Sequence, residues 1–551
     1  MSVRKIPLLQ KIMSWTGLTV LLCLLLLSLT STASISAGAA ESTSFAADSA
    51  WQLMTSAAVL AGGMIFLKRS CRLQSFGRRV NTDPRLFRRL AAGLLALAGI
   101  LAVYWILSVQ AQPGADQKTV LKIAGELLAG NTEAFAAGGY AAVYQHQTGI
   151  ILAVTLLARV LGTGYLPYQL INVPGLLLIC WELADTAGLL ENRNTVRLSV
   201  LLVCVLFFPL GMYVTFVYGT IWSLALALAA MRQELLYFHA QKSGRLAAMG
   251  LLIGLAVFLK ANSMIFLIAM ALAALLESLC RRQAKPLLAA AVCMAALAAE
   301  QAAVHLAVSM LAGGERTGAS FWSYLAMGTT ADNSRAPGWY LKEYGPELYQ
   351  NYDAGTAAAV SKSAVLANLA AFAADPSALM RFLLEKISSQ WNNPTFQGYW
   401  IATVHAHADS WLLSDQAAAA GCVYLNGLQS LVLAGAVFYV LLAADEKGAG
   451  GQLYLTTLTG GFLFHLFWEA KSQYTLPYFV LLLPLSVLGY SRLAAAPDVL
   501  WKAQRRKGTA ALCIAAVLLI TWMPVQTEVL SIQNSAQTSV KDAPSSRSRS
   551  R

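Results

Sequence analysis

The residue best placed to do chemistry is Asp116, in the run PGADQKTV directly after an apolar stretch. A carboxylate there either caps the following helix as a solvated loop group or serves as a general base toward an incoming hydroxyl. Two lysines stand in comparable places. Lys260 lies in FLKANS with Asn262 beside it, and Lys471 lies in WEAKSQY, flanked by Glu469 and Tyr474. A lysine at a helix end either snorkels to the interface or neutralises an anion such as a departing phosphate; Glu469 would hold that lysine or bond hydroxyl groups. Tyr140, Tyr144, Gln145, His146 and Gln147 form a polar-aromatic cluster suited to stacking on a sugar ring and bonding its hydroxyls. Interfacial anchoring explains the tyrosines equally well. Tyr218, in FVYGTIWS, is a candidate wall residue. Arg335, Trp339, Tyr340, Trp391, His405 and His407 share one long polar segment, where aromatics and cations would cover a polar head group. His405 and His407 are two apart and would face one side only on a strand, so a metal pair on a helix is not expected.

These residues need elements to hold them, and the composition says which. Of 551 residues, 57% are hydrophobic and 12% charged, about half the charge of a typical soluble domain. Apolar runs of bilayer-crossing length recur from the amino terminus to Met523, separated by short charged segments. The net charge of +13 comes from basic residues beside apolar runs, as topology determinants and anionic-lipid contacts do, so nucleic acid is not an expected partner. The eight cysteines are scattered, without CxxC or Cys/His ligand spacing, and read as core filler.

Residues 1–40, with Arg4, Lys5, Lys11, an apolar stretch from Leu18 to Leu29 and small residues from Thr32 to Ala40, have the layout of a signal peptide or signal anchor. Residues 41–89 hold an extra helix, Trp51 to Leu67, and a strongly basic segment from Lys68 to Arg89, cytoplasmic by the positive-inside rule. The next helix, Leu90 to Val109, then exits, and the loop 110–147 lies outside. Arg193/Arg197, Lys242/Arg245, Arg281/Arg282/Lys285 and Arg492 through Lys507 all come out cytoplasmic. That alternation holds if spans run Tyr168–Leu190, Leu198–Val217, Ile221–Phe238, Leu246–Phe258, Met264–Leu279, Leu287–Met310, Gly427–Leu442, Leu453–Phe467, Leu476–Tyr490 and Ala510–Met523. With the earlier runs this makes about thirteen spans. The same parity makes Gly149–Leu161 an interfacial or re-entrant half-helix, permitted where protein covers it. Within this scheme residues 90–310 form a transmembrane core, 311–426 a large extracytoplasmic loop, 427–524 the C-terminal helices and 525–551 a disordered tail.

The run ADQKTVLKIAGELLAGN, followed by GGYAAVYQHQTGI, a short apolar helix and YQLINV, resembles the first extracytoplasmic loop of the GT-C integral-membrane glycosyltransferases, in the branch of the protein O-mannosyltransferases and lipid A aminoarabinose transferases. FFPLGMYVTFVYGTIWS, GLLIGLAVFLKANSMIFLIAM and FHLFWEAKSQYTLPYFVLLLPL follow in the family's order, so the resemblance covers Leu90 to Tyr490. It implies an all-α GT-C-like bundle and a multi-pass protein of a bacterial-type cell membrane, with its site facing outside. The implied activity is sugar transfer from a polyprenyl-phosphate donor to a glycan, lipid or protein acceptor.

In that family an acidic residue just after an early helix is catalytic, which falls on Asp116. The resemblance names no obligatory cofactor and leaves room for a divalent metal. Two positions depart from it: Thr220 stands where relatives carry an acidic or amide residue, and Gln473 where they carry arginine. These departures put in doubt a second carboxylate and the phosphate contact at Lys471. They are also the signs by which an inactive relative would be recognised. The rival readings are a lipid-linked glycan transporter, which wants charged residues deep within several helices, and an O-antigen polymerase or ligase type of enzyme, which would rely on loop arginines and histidines. Mid-helix positions here read as nearly all apolar, against the transporter.

Overall fold

The computed structural model describes residues 8–35, 41–312, 318–331, 335–443 and 450–495; these are helical apart from one two-stranded hairpin. The chain opens with α1 (Leu8–Thr30), the hairpin β1 (Ser31–Ile35) and β2 (Thr43–Ala47), then α2 (Ala50–Arg69), α3 (Cys71–Thr82), α4 (Pro84–Val109) and α5 (Ala115–Leu128). There follow α6 (Tyr140–Val143), α7 (Thr148–Leu161), α8 (Tyr165–Leu190), α9 (Asn194–Leu206), α10 (Phe208–Met212), α11 (Thr220–Ala240), α12 (Ser243–Leu259), α13 (Met264–Arg281) and α14 (Leu287–Ala312). The last group is α15 (Phe321–Thr329), α16 (Pro346–Asn351), α17 (Ala354–Ala374), α18 (Pro376–Trp391), α19 (Gly398–Thr403), α20 (Asp415–Ala443), α21 (Gly450–Phe467), α22 (Leu476–Phe479) and α23 (Leu482–Ala495).

Local chemistry sets several boundaries. Asp83 Oδ1 accepts from the Arg85 and Leu86 amides with Pro84 in the first turn, so α3 ends and α4 begins there, an arrangement worth about 1 kcal/mol. Pro209 has no amide proton for the Val205 carbonyl and its ring would clash there, so a helix cannot run through; the chain breaks at Phe207, and α9 and α10 meet at a 62° bend.

By length and composition the described helices make this a multi-pass membrane protein. Seven are long and apolar enough to cross, or ten if each of three bent pairs is one span. The expected count of about thirteen is therefore not reached among the described residues. Breaks account for part of the difference: the runs expected at Leu198–Val217 and Leu476–Tyr490 are each split, the second by 44°. The run expected at Leu246–Phe258 falls in α12, an apolar helix of 17 residues, shorter than the candidate spans. The expected span Ala510–Met523, the basic stretch beyond Ala495 and the tail 525–551 lie outside the described residues. Glu133–Val143 and Gln145–Leu161 meet at 103°, so the short helix after Gln147 turns sharply on its predecessor.

No large extracytoplasmic domain is evident among the described residues, contrary to the expectation for 311–426. The alanine-rich background of that segment forms α17, itself long and apolar enough to cross. Its neighbour α18 is tied into the bundle, where Gln390 Nε2 donates to the His465 carbonyl at 3.3 Å.

Small residues let the helices approach closely, as lipid-embedded packing requires. A Cβ on Gly489 of α23 would collide with the Gly435 carbonyl of α20. Ser223 of α11 donates to the Ala256 carbonyl of α12 at 2.8 Å. The amino-terminal helix belongs to this core: Ser28 meets Ser430 of α20 at 2.7 Å, and Gly17 lies against Leu455 of α21. Of the small-residue stretch Thr32 to Ala40, residues Thr32 to Ile35 belong to strand β1, which docks on the end of α18, and the remainder lies outside the described residues. The Ala33 amide donates to the Asn392 carbonyl at 3.0 Å, and Asn392 Nδ2 donates to the Leu27 carbonyl at 3.1 Å.

The basic segments gather at one end of the bundle. Asn81 Oδ1 accepts from the Thr195 amide at 2.9 Å, Tyr237 donates to the Lys285 carbonyl at 2.9 Å, and Ser491 donates to Glu191 at 3.2 Å. Toward this end the helices carry buried charge that the apolar reading of their interiors did not anticipate. Arg232 reaches Asp185 at 2.6 Å and Glu182 at 3.8 Å, and Arg197 reaches Asp185 at 3.5 Å. Glu234 is wholly buried with both carboxylate oxygens unbonded, and Glu277 is buried in an ion pair with Arg281.

Candidate active site

Asp116 sits in the first turn of α5, and the chain reaches it through an unusual backbone. Gln110 and Ala115 both adopt left-handed conformations, φ 50° and 43°, which cost a residue with a Cβ about 1–2 kcal/mol each. Gly114 between them has no room for a side chain, because its Cβ would enter the His405 ring. The turn is braced by the bridge Ala111–Ala406, by the Gln112 amide donating to the His405 carbonyl at 3.3 Å, and by Gln169 Nε2 donating to the Ala111 carbonyl at 2.8 Å. The next residue, buried Gln117, locks α5 inward. Its Oε1 accepts from the Tyr165 hydroxyl and, at 3.1 Å, from the Val217 amide. Asp116 itself stays exposed.

The Tyr140 hydroxyl donates to Asp116 Oδ1 at 3.2 Å. From Tyr140 a chain of rings runs through Tyr144 (5.1 Å between centroids), His146 (5.9 Å) and Tyr324 (6.0 Å) to Trp468, stacked on Tyr324 at 5.0 Å. Gln145 and Gln147 bound the short turn that carries His146, with the Gln145 amide lying against Gly318. On another side, the Lys260 ammonium lies 4.2 Å from the Tyr218 ring centroid and donates to the Tyr218 carbonyl at 3.4 Å. Burial pulls Lys260 down to about 7, against the opposing influence of Asp116. Asn262 occupies the turn Ala261–Ser263 after it, and its carbonyl accepts from Tyr478 at 3.5 Å.

The turn between α21 and α22 brings the remaining charges. Tyr474 donates to Glu469 Oε1 at 3.3 Å. Burial pushes Glu469 up to about 7, against the pull of Lys471. Lys471 pairs with both oxygens of Glu41, at 3.0 and 3.1 Å, and Arg335 reaches the same carboxylate at 3.4 Å. Burial works against the Lys471 ammonium, but Glu41, Glu469 and Asp116 together hold it above the usual lysine range. Burial likewise opposes ionised Glu41, and Lys471 and Arg335 outweigh it and hold that carboxyl low. Tyr340 packs its ring near both cations, 5.8 Å from Arg335 and 5.9 Å from Lys471.

The structure thus brings Asp116, Tyr140, His146, Tyr218, Lys260, Arg335, Glu469, Lys471 and Tyr474 to one end of the bundle, with Asn262, Gln145 and Gln147 on its flanking turns. It removes two aromatics from the expected cover. Trp339 is buried with its indole donating to Ser389 at 2.9 Å, and Trp391 is buried against Phe462 and Tyr478. Both are core residues, because packing and not aromatic chemistry decides where they point. His405 and His407 line a separate recess of about 520 Å³ behind the Asp116 turn, with Gln112, Pro113 and Lys118. Thr220 presents a buried, unbonded hydroxyl. Gln473 lies in the turn Ser472–Tyr474.

Three participants escape a reading of the chain. Glu41 follows a run of small residues with nothing to mark it, and Tyr324 and Trp468 look like ordinary apolar-segment aromatics. Lys386 of α18, fully buried, supports the site from beneath: its ammonium donates to the carbonyls of Gly328, Leu466 (3.0 Å) and Trp468 (2.9 Å). Three protons meet three acceptors, two of them at the end of α21, where helix carbonyls lack partners. Among the described residues no group of three or more His, Cys, Asp or Glu side chains is placed to hold a metal ion. Near Asp116 the carboxylates Glu41 and Glu469 both face Lys471. No protein-family model, curated protein or solved structure matches this chain.

Proposed function

We propose that the protein is a GT-C-like membrane glycosyltransferase that moves a sugar from a polyprenyl-phosphate donor to a cell-envelope acceptor at the extracytoplasmic face of a bacterial-type membrane. One observation carries the reading: a carboxylate, two lysines and a wall of aromatic rings from segments far apart in sequence meet at the end of the bundle opposite the basic segments. Asp116 takes the proton of the acceptor hydroxyl while that oxygen attacks the anomeric carbon in line. The bond from that carbon to the phosphate oxygen breaks, its electron pair leaves with the polyprenyl phosphate, and Lys260 and Lys471 balance the charge that develops. The configuration inverts. Tyr140 steadies the carboxylate, and the rings from Tyr140 to Trp468 offer faces on which a sugar stacks.

The test is transfer of label from radiolabelled polyprenyl-phosphate sugars by membranes holding wild type or Asp116→Asn at matched expression. Transfer by wild type alone supports the assignment; equal transfer by both overturns Asp116 as base.

A second reading, a lipid-linked glycan transporter, draws on the buried, unbonded Glu234 and the Arg232 network inside the helices, features that proton-coupled carriers use. Donor flipping in proteoliposomes that depends on Glu234 and not on Asp116 would favour it.

A further inference from the structure

Glu41 is held as a ligand would be held. Lys471 contacts both its oxygens at 3.0 and 3.1 Å, Arg335 Nη1 reaches Oε2 at 3.4 Å, and Gln397 Nε2 donates to Oε1 at 3.0 Å. The three donors come from the α21–α22 turn, the segment before Trp339, and the start of α19. None is near Glu41 in sequence, Lys471 being 430 positions away, and each is fixed by its own surroundings. Ala470 donates its amide to the Gly338 carbonyl at 2.8 Å, Arg335 donates to the Tyr340 carbonyl at 3.2 Å, and the Gln397 amide donates to Asn393 Oδ1 at 3.4 Å. The cluster is therefore a seat for an anion with oxygens in a fork, and Glu41, two residues before β2, fills it. The four contacts fill the lone pairs of the Glu41 carboxylate, but its single negative charge balances only one of the two cations, whereas a phosphate offers further oxygens and up to two negative charges.

We propose that Glu41 is the internal occupant of a phosphate-binding seat formed by Lys471, Arg335 and Gln397, and that the phosphate of a lipid-borne phosphate ester displaces it. The choice of a lipid-borne ester rests on the donor proposed above; the seat itself rests on the contacts. Glu41 keeps the partly buried cations paired when no other anion is bound, which spares the cost of leaving them uncompensated. It competes with the ligand in return.

The test is equilibrium binding of radiolabelled farnesyl phosphate to the purified full chain in detergent, with inorganic phosphate as competitor. Glu41→Gln, which removes the competing charge and keeps an acceptor for Lys471, is expected to bind farnesyl phosphate about tenfold more tightly than wild type, the scale of one close charge pair. Glu41→Asp, one methylene shorter, is expected to fall between them and serves if the glutamine variant is unstable. Lys471→Met in either background is expected to lose the binding. Equal or weaker binding by Glu41→Gln, or no binding by any variant, overturns the proposal. Inorganic phosphate bound as tightly as farnesyl phosphate overturns the lipid-borne assignment. No sugar enters this measurement, so it can succeed where sugar transfer fails; transfer by wild type without a gain from Glu41→Gln sinks this proposal alone.

Discussion

The Tyr140 hydroxyl donates to Asp116 Oδ1 at 3.2 Å while Asp116 remains exposed, so one lone pair is committed to orientation and the rest face outward. In a general base such a bond fixes the carboxylate rotamer before the acceptor arrives. Tyr140→Phe is therefore expected to lower kcat for sugar transfer by about tenfold with KM changed little, against near-complete loss in Asp116→Asn. Initial rates at varied donor concentration check this, and a KM effect with constant kcat would make Tyr140 a donor contact instead.

Ala115 precedes that carboxylate at φ 43°, in the left-handed region where a Cβ is penalised. Ala115→Gly relieves this and is expected to raise stability by about 1 kcal/mol while slowing transfer, because the freed turn no longer aims Asp116. Thermal unfolding in detergent paired with the transfer assay reads both. A gain in both would show that the strain has no role.

How far the chain disclosed this site depends on what kind of signal each residue leaves. Asp116, Lys260 and Lys471 are charges beside apolar runs, and a charge next to lipid is conspicuous in any reading. Tyr140 and His146 announce themselves as a polar-aromatic cluster. Glu41 and Lys386 do not, because their meaning lies wholly in partners far away: the Glu41 to Lys471 pair spans 430 positions and the Lys386 to Trp468 bond 82. The fold shows the same division. Apolar runs give helices, but hydropathy carries no record of the bend at Phe207 or of the hairpin at Ser31–Ala47, which depends on Asn392 for its docking.

Lys260 and Glu469 give the site a pH dependence with a definite sign. Both stand at about 7, Lys260 lowered and Glu469 raised, each chiefly by burial. As pH rises through 7 the first loses a positive charge and the second gains a negative one, so affinity for an anionic donor falls. The other charges facing them do not offset this: Lys471 is held high and Glu41 low, so both keep their charge across that window, and Lys386, pulled down to about 7 by burial against the influence of Glu469, loses its charge in the same direction. Donor affinity measured from pH 6 to 8 is expected to weaken in wild type and to weaken markedly less in a Lys260→Met, Glu469→Gln double variant, which retains only the titration of Lys386. A wild-type profile that is flat or rises would contradict the assignment.

Lys386 tests whether the site is held from beneath. Its ammonium joins the Gly328, Leu466 and Trp468 carbonyls, linking the end of α15 to the end of α21, from which Glu469 and Lys471 project. Methionine fills similar volume and donates nothing, leaving three buried carbonyls without partners. Lys386→Met should therefore cost about 3 kcal/mol or more of stability, visible as a lower unfolding temperature in detergent. Gly338 packs against the same side chain, where its own Cβ would meet Lys386 Cε at 2.6 Å, and its carbonyl accepts from Ala470. Loosening Lys386 therefore also loosens the residue just before Lys471. The same variant is expected to weaken farnesyl phosphate binding although Lys386 lies outside the seat, and a loss of stability with unchanged binding would confine Lys386 to the helix ends.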